Sequence, residues 1–152
     1  MTNSKLDPSK YSLQGFMGKD TRSLPAIIAS DRKSFKALKV PARDLIDALK
    51  KAAAKARKAF GAEVEVRKGL RGIDEGARGI VPCPLCGKSF EKGESVLIRE
   101  EDGKKLIITP LSLHLADKHA FFQGKGAYYR IEPSAAVEFL GISNKKPARK
   151  KT

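Results

Sequence analysis

Hydrophobic and polar positions divide the chain into a few periodic stretches. Residues 1–22, MTNSKLDPSKYSLQGFMGKDTR, carry neither a helical nor a strand period and read as an irregular arm. From Ser23 the pattern changes. Ser23 suits a helix cap, Pro25 suits the first turn, and Ile28, Phe35 and Leu38 fall at helical spacing, which predicts a helix to about Leu38. Pro41 restarts a helix through ARDLIDALKKAAAKARKAF, and Gly61 ends it. At about 100° per residue, Leu45, Leu49, Ala52, Ala56 and Phe60 share one stripe of this second helix, and its opposite side is basic.

After Gly61 the period shortens towards two. AEVEVR and ARGIV predict one hairpin, with Asp74-Glu75-Gly76 as its turn. SVLIRE and KLIIT predict a second, turning at residues 101–104. Thr109 and Pro110 then open a helix, LSLHLADKHAFF, which Gly124 and Gly126 end. AYYRI reads as a short strand, and PSAAVEFL as a last helix stopped by Gly141. The fold class is therefore α+β: N-terminal helices, two β-hairpins, a helix carrying two histidines and a short C-terminal helix. The expected organisation is an arm at 1–22, a basic helical region at 23–61, a metal-binding α+β domain at 62–142 and a basic tail at 143–152.

The chain has two cysteines and two histidines in all, and they come in pairs. Cys83 and Cys86 form C-P-L-C; His114 and His119 lie five apart on the predicted helix. A C-x2-C turn presents two thiolates to one ion, and histidines separated by three to five residues converge from one side of a helix. The four together make a tetrahedral set that favours zinc, with iron as the other metal such ligands hold. Two other readings stand beside this one: a redox C-x-x-C pair, which leaves both histidines unexplained, and burial of inert thiols. A catalytic zinc keeps an open coordination place, which four protein ligands fill, and no further histidine is present for acid–base work. No enzymatic activity is expected. Asp117, between the histidines, points to another side of the helix and is expected to solvate the surface.

The segment CPLCGKSF, with Gly87 at the knuckle and Phe90 under the ion, resembles the opening of a two-cysteine, two-histidine zinc finger over Pro82–Phe122. The departure is in spacing: 27 residues separate the pairs here, against about 12 in such fingers. A hairpin fills the difference, which changes the docking mode such a finger implies. The stretch HAFFQGKG from His119 is also similar to a group of small uncharacterised bacterial proteins with a cysteine pair and a helical histidine pair. That resemblance bears on fold and implies no activity.

Charge alters the functional picture. The net charge is +14 over 152 residues. Residues 1–80 hold 18 Lys and Arg against 9 Asp and Glu, residues 81–142 are balanced, and the last ten hold five cations and no acid. A polyanion is the natural partner, because neutralising phosphates releases condensed counterions. The histidine helix is a poor reader of bases, with Asp117 and Lys118 as its charged side chains between the histidines. Phosphate contacts are therefore expected from Arg43, Lys50, Lys51, Lys55, Arg57 and Lys58 on the second helix, from Arg67, Lys68, Arg71 and Arg78 around the first hairpin, and from Lys145, Lys146, Arg149, Lys150 and Lys151 in the tail. Tyr128 and Tyr129 could add base stacking.

The reading is a zinc-stabilised protein that binds nucleic acid, DNA or RNA with the ribosome included, through its phosphate backbone. The alternative is a protein-interaction or assembly module in which zinc is purely structural and the second helix docks through Leu45, Leu49 and Phe60. Without an apolar run long enough to span a bilayer or an apolar leader, no membrane partner and a cytoplasmic location are expected.

Overall fold

A computed structural model describes residues 16–142 of the chain. Among the described residues, four helices and a four-stranded antiparallel sheet make an α+β fold. In chain order these are α1 (Leu24–Leu38), α2 (Ala42–Lys58), β1 (Val64–Arg67), β2 (Leu70–Pro82), β3 (Ser89–Arg99), β4 (Lys105–Ile108), α3 (Pro110–His119) and α4 (Pro133–Leu140). The strands lie in sequence order, β1-β2-β3-β4, each antiparallel to the next.

Local chemistry explains most of the boundaries. The Ser23 hydroxyl accepts a hydrogen bond from the Ala26 N–H at the start of α1, satisfying one of the donors that a helix leaves open. Pro41 caps α2, where a missing N–H costs nothing. Leu45, Leu49 and Ala56 on α2 are fully buried, and they lie in one core with Val66, Leu70, Leu97 and Ile108 of the sheet and with Ala136, Val137, Phe139 and Leu140 of α4. Gly72 lets the alanine-rich side of α2 come close. A Cβ on that residue would sit 3.0 Å from Val66 Cγ1, 3.3 Å from Leu97 Cδ2 and 3.4 Å from the Ala56 Cβ. A second cluster, Ile27, Cys83, Leu111, Leu115 and Phe121, packs with Phe16, Val81, Leu85 and Phe90 beneath the cysteine turn.

The structure corrects several expectations. Asp74-Glu75-Gly76 is no turn: β2 runs through it, paired with β3 at Asp74–Ser95, Glu75–Glu94 and Gly76–Gly93. The first hairpin instead turns at Lys68-Gly69, where Gly69 takes a left-handed φ of +82°. β3 is long enough to give β2 a partner along most of its length, so the local turn signal is overruled. AYYRI forms turns, not a strand, and among the described residues no strand pairs with it. The α3 helix stops at His119, with Ala120 left-handed at φ 54°, before the glycines. Phe60 lies past the end of α2 with left-handed φ, leaves the buried stripe and is 93% exposed.

Residues 62–80 share one sheet with the cysteine hairpin, and α2 packs on that sheet. Of the N-terminal arm, residues 16–22 are described and dock on the 123–126 loop. The Gly124 N–H donates to the Phe16 carbonyl at 2.7 Å, and the Lys19 N–H donates to that of Lys125 at 2.8 Å. A Cβ at Gly124 would overlap the Met17 carbonyl, so this approach requires glycine. The remainder of the arm and the basic tail, with Lys145, Lys146, Arg149, Lys150 and Lys151, lie outside the described residues.

Candidate metal centre and basic surface

The cysteine turn closes the β2–β3 hairpin. The Cys83 N–H donates to the Lys88 carbonyl (2.7 Å) and the Gly87 N–H to the Cys83 carbonyl (2.8 Å), while Gly87 takes φ +83°. The Leu85 N–H points at Cys83 Sγ, 3.4 Å away. Opposite it, α3 is fixed by a reciprocal cap: the Ser112 N–H donates to Thr109 Oγ1 at 2.9 Å, and the Thr109 N–H to Ser112 Oγ at 2.8 Å. The cap sets the helix so that both histidines face the turn.

All four ligand atoms lie within 4.8 Å of one another. Cys86 Sγ is 3.3 Å from His114 Nε2, and Cys83 Sγ is 3.6 Å from His119 Nε2. The ligand–ligand edges of a tetrahedral thiolate–imidazole site are about 3.3–3.8 Å by simple trigonometry on its bond lengths, so these two contacts fit and the widest separation is about 1 Å over. The cluster can hold a metal ion. Phe90 packs its ring 4.5 Å from that of His114, centroid to centroid, and the two imidazoles are 5.0 Å apart. Cys83 is buried and Cys86 exposed.

Electrostatics here argue against a thiol redox pair. Burial pushes the Cys83 thiol above its ordinary pKa, against the pull of the Leu85 and Cys86 N–H groups. A redox C-x-x-C nucleophile has the opposite shift. Desolvation, then His119 and Lys88, lower His114, which favours the neutral imidazole that a metal needs.

Asp117 does not solvate the surface as expected. Its side chain is 7% exposed and binds Lys50 Nζ at 2.6 Å and the Arg43 guanidinium, tying α3 to α2. Lys50 and then Arg43 hold its carboxyl down at about 2. The structure thus divides the proposed phosphate contacts. Arg43 and Lys50 are engaged by Asp117, Arg43 also by Asp47, and Arg71 by Glu63 and Glu100. Lys55 donates to the Val66 carbonyl at 3.0 Å. Arg67 borders a groove with Lys51 and Lys55, where burial lowers its pKa. Lys51, Arg57, Lys58, Lys68 and Arg78 are exposed and have no acidic partner among the described residues. Tyr128 is 71% exposed, whereas the Tyr129 hydroxyl donates to Glu94.

Sequence reasoning missed Asp31. It lies one turn from Ile27 and one turn from Phe35 on the buried side of α1, and Arg130 meets it from the loop before α4. A carboxylate on an apolar stripe was the signal, since it calls for a buried cation. No protein-family model matches this chain, and comparison with curated proteins and with solved structures found no match. Among the described residues, no helix is long and apolar enough to cross a membrane.

Proposed function

We propose that the chain is a zinc-stabilised nucleic-acid-binding protein that grips the phosphate backbone, and that it works in the cytoplasm, where thiol ligands stay reduced. Two thiolates and two imidazoles select zinc over harder divalent ions. With four protein ligands no coordination place is open, so the ion's role is structural. It clamps α3 to the cysteine turn over a cluster of five buried residues and the partly buried side chains packed against them. The α3 helix is not a groove reader: Leu111, Leu113 and Leu115 are buried in the fold.

The observation that carries the nucleic-acid reading is the set Lys51, Arg57, Lys58, Lys68 and Arg78, exposed cations that no acidic group among the described residues neutralises. Each phosphate contact adds about 0.9 to the slope of log affinity against log salt on duplex DNA and about 0.7 on a single strand. The test measures fluorescence anisotropy of a labelled duplex and a labelled single-stranded RNA across a salt series. For the triple variant Lys51→Gln, Arg57→Gln, Lys58→Gln the duplex slope is expected to flatten by about 3. An unchanged slope and affinity would overturn the reading.

The assembly-module alternative loses its expected docking stripe, because Leu45 and Leu49 are 0% exposed within the chain's own core. It keeps one support, the exposed Phe60 at the end of α2. A shift in oligomeric mass on Phe60→Ser, with nucleic-acid binding absent, would favour it.

A further inference from the structure

A cavity of about 690 Å³ opens where β2 and β3 bulge apart, between the start of α3 and the loop at 123–129. It is separate from the cation set on α2, and its electrostatic sign is reversed. In a chain of net charge +14, this cavity is lined by Glu75, Glu91 and Glu94 against a single ammonium, Lys92. Glu75 and Glu91 have no cationic partner among the described residues. Phe16 and Leu111 give it apolar walls, and Tyr128 and Tyr129 meet edge to face at 4.8 Å on its rim. The Tyr129 hydroxyl donates to Glu94, which fixes that ring.

A second, independent observation is Gln123. It is 2% exposed and lines the cavity. Its main-chain carbonyl accepts from Arg130, but its side-chain carboxamide makes no hydrogen bond among the described residues. A buried amide without partners is costly in a folded chain, and one that borders a cavity is most simply explained by what enters that cavity. It offers one acceptor and two donors at a single point. Gln123 also holds a left-handed φ of 74°, a conformation that a non-glycine residue rarely adopts.

We infer that this cavity binds a small organic cation: a flat apolar body bearing an amidinium or ammonium group. The tyrosine rings and apolar walls take the body, the carboxylates take the charge, and Gln123 fixes the orientation. Three carboxylates oppose an anion, so the site is not a phosphate subsite. The inference stands independently of the nucleic-acid reading.

Three probes of one shape and different charge test it: benzamidine, benzamide and benzoate, titrated through the low millimolar range into the zinc-loaded full chain and followed by amide and aromatic NMR shifts. Benzamidine is expected to give saturable shifts at the Gln123 side-chain amide, Tyr128 and Tyr129. Benzamide is expected to bind about tenfold more weakly or worse, and benzoate not at all. Gln123→Leu keeps the volume, removes the orphan amide and is expected to weaken benzamidine by about tenfold. Should that variant fail to fold, the exposed pair Glu75→Gln, Glu91→Gln carries the test, with a similar loss expected. The inference is overturned if benzamidine gives no saturation, if its shifts map elsewhere, if benzoate binds as well, or if the glutamate variant binds undiminished.

Discussion

Replacing Asp31 with alanine isolates the most deeply buried charge pair among the described residues and gives a magnitude that can be checked. The Asp31 and Arg130 side chains are 3% and 7% exposed and meet through two hydrogen bonds, of 2.9 and 3.1 Å. Arg130 also donates to Glu132 Oε1 at 2.9 Å and to the Gln123 carbonyl. Burial pulls the Arg130 pKa down, but the bonds to Asp31 and Glu132 outweigh it and the net shift is upwards. Asp31→Ala leaves that guanidinium buried with its main counter-charge gone, and breaking such a pair costs about 3–5 kcal/mol. Glu132, half exposed, remains as a weaker partner, so the lower end, about 3 kcal/mol, is expected. In a domain of this size that lowers the melting temperature by roughly 10–15 °C. Urea unfolding of the zinc-loaded protein at neutral pH gives the free energy, with an unchanged m-value as the check on two-state behaviour. The double variant Asp31→Leu, Arg130→Met removes both charges and is expected to recover most of the loss. A loss under about 1 kcal/mol for Asp31→Ala, with no coupling in the cycle, would refute the reasoning and mean that water screens the pair.

Removing the metal, by chelation or by Cys86→Ser, is expected to strip hydrogen-exchange protection from the cysteine turn and α3 while α2 and its strands stay protected; uniform protection would count against a structural ion. Asp117→Asn is expected to cost about 1 kcal/mol, since Arg43 and Lys50 are half exposed. Its folded-state carboxyl is held below the unfolded value of 3.8, at about 2. The stability it adds is therefore complete above about pH 4 and disappears as pH falls through 2, so wild type and variant should converge in acid-unfolding measurements only there. Gly72→Val places side-chain carbons against Val66, Leu97 and Ala56, where even a Cβ is 3.0–3.4 Å away. A loss of about 1–3 kcal/mol by thermal unfolding is expected, and a neutral result would mean that α2 can move off the sheet.

Where caps, breakers and periodicity agreed, the sequence was legible. Ser23, Thr109-Pro110 and Gly141 mark helix boundaries through local hydrogen bonds and backbone freedom, which need no tertiary context. The turn at Asp74-Gly76 failed because strand pairing over β2 and β3 is a long-range effect that outweighs a local preference. The metal cluster was legible because ligand chemistry restricts spacing. The cation set was legible only in part, since Asp117 reaches Arg43 and Lys50 from a distant segment and the pairing of Glu63 with Arg71 depends on where the first hairpin turns. Nothing in the chain's periodicity signals the cavity. It arises where a bulge between Gly76 and Ile80 parts two strands beside a loop that arrives from the far end of the chain.

The two clusters of buried residues explain why the cysteine–histidine cluster and the cations of α2 are separate. The large core seats α2 on the sheet through Leu45, Leu49 and the close approach at Gly72, so the outer side of α2 has a rigid support that does not involve the ion. The small cluster beneath the cysteine turn takes Leu111 and Leu115 of α3, while Leu113 and Ala116 of the same helix belong to the large core. An ion held by Cys83, Cys86, His114 and His119 would add a tie between the cysteine turn and α3. Asp117 adds a polar link between α3 and α2, because it lies on the histidine helix and binds two cations of α2. Engaging Arg43 and Lys50 in this way pairs two cations of α2 within the fold and leaves Lys51, Arg57 and Lys58 without an acidic partner among the described residues. Asp117 thus determines which of the helix's cations are already paired within the fold.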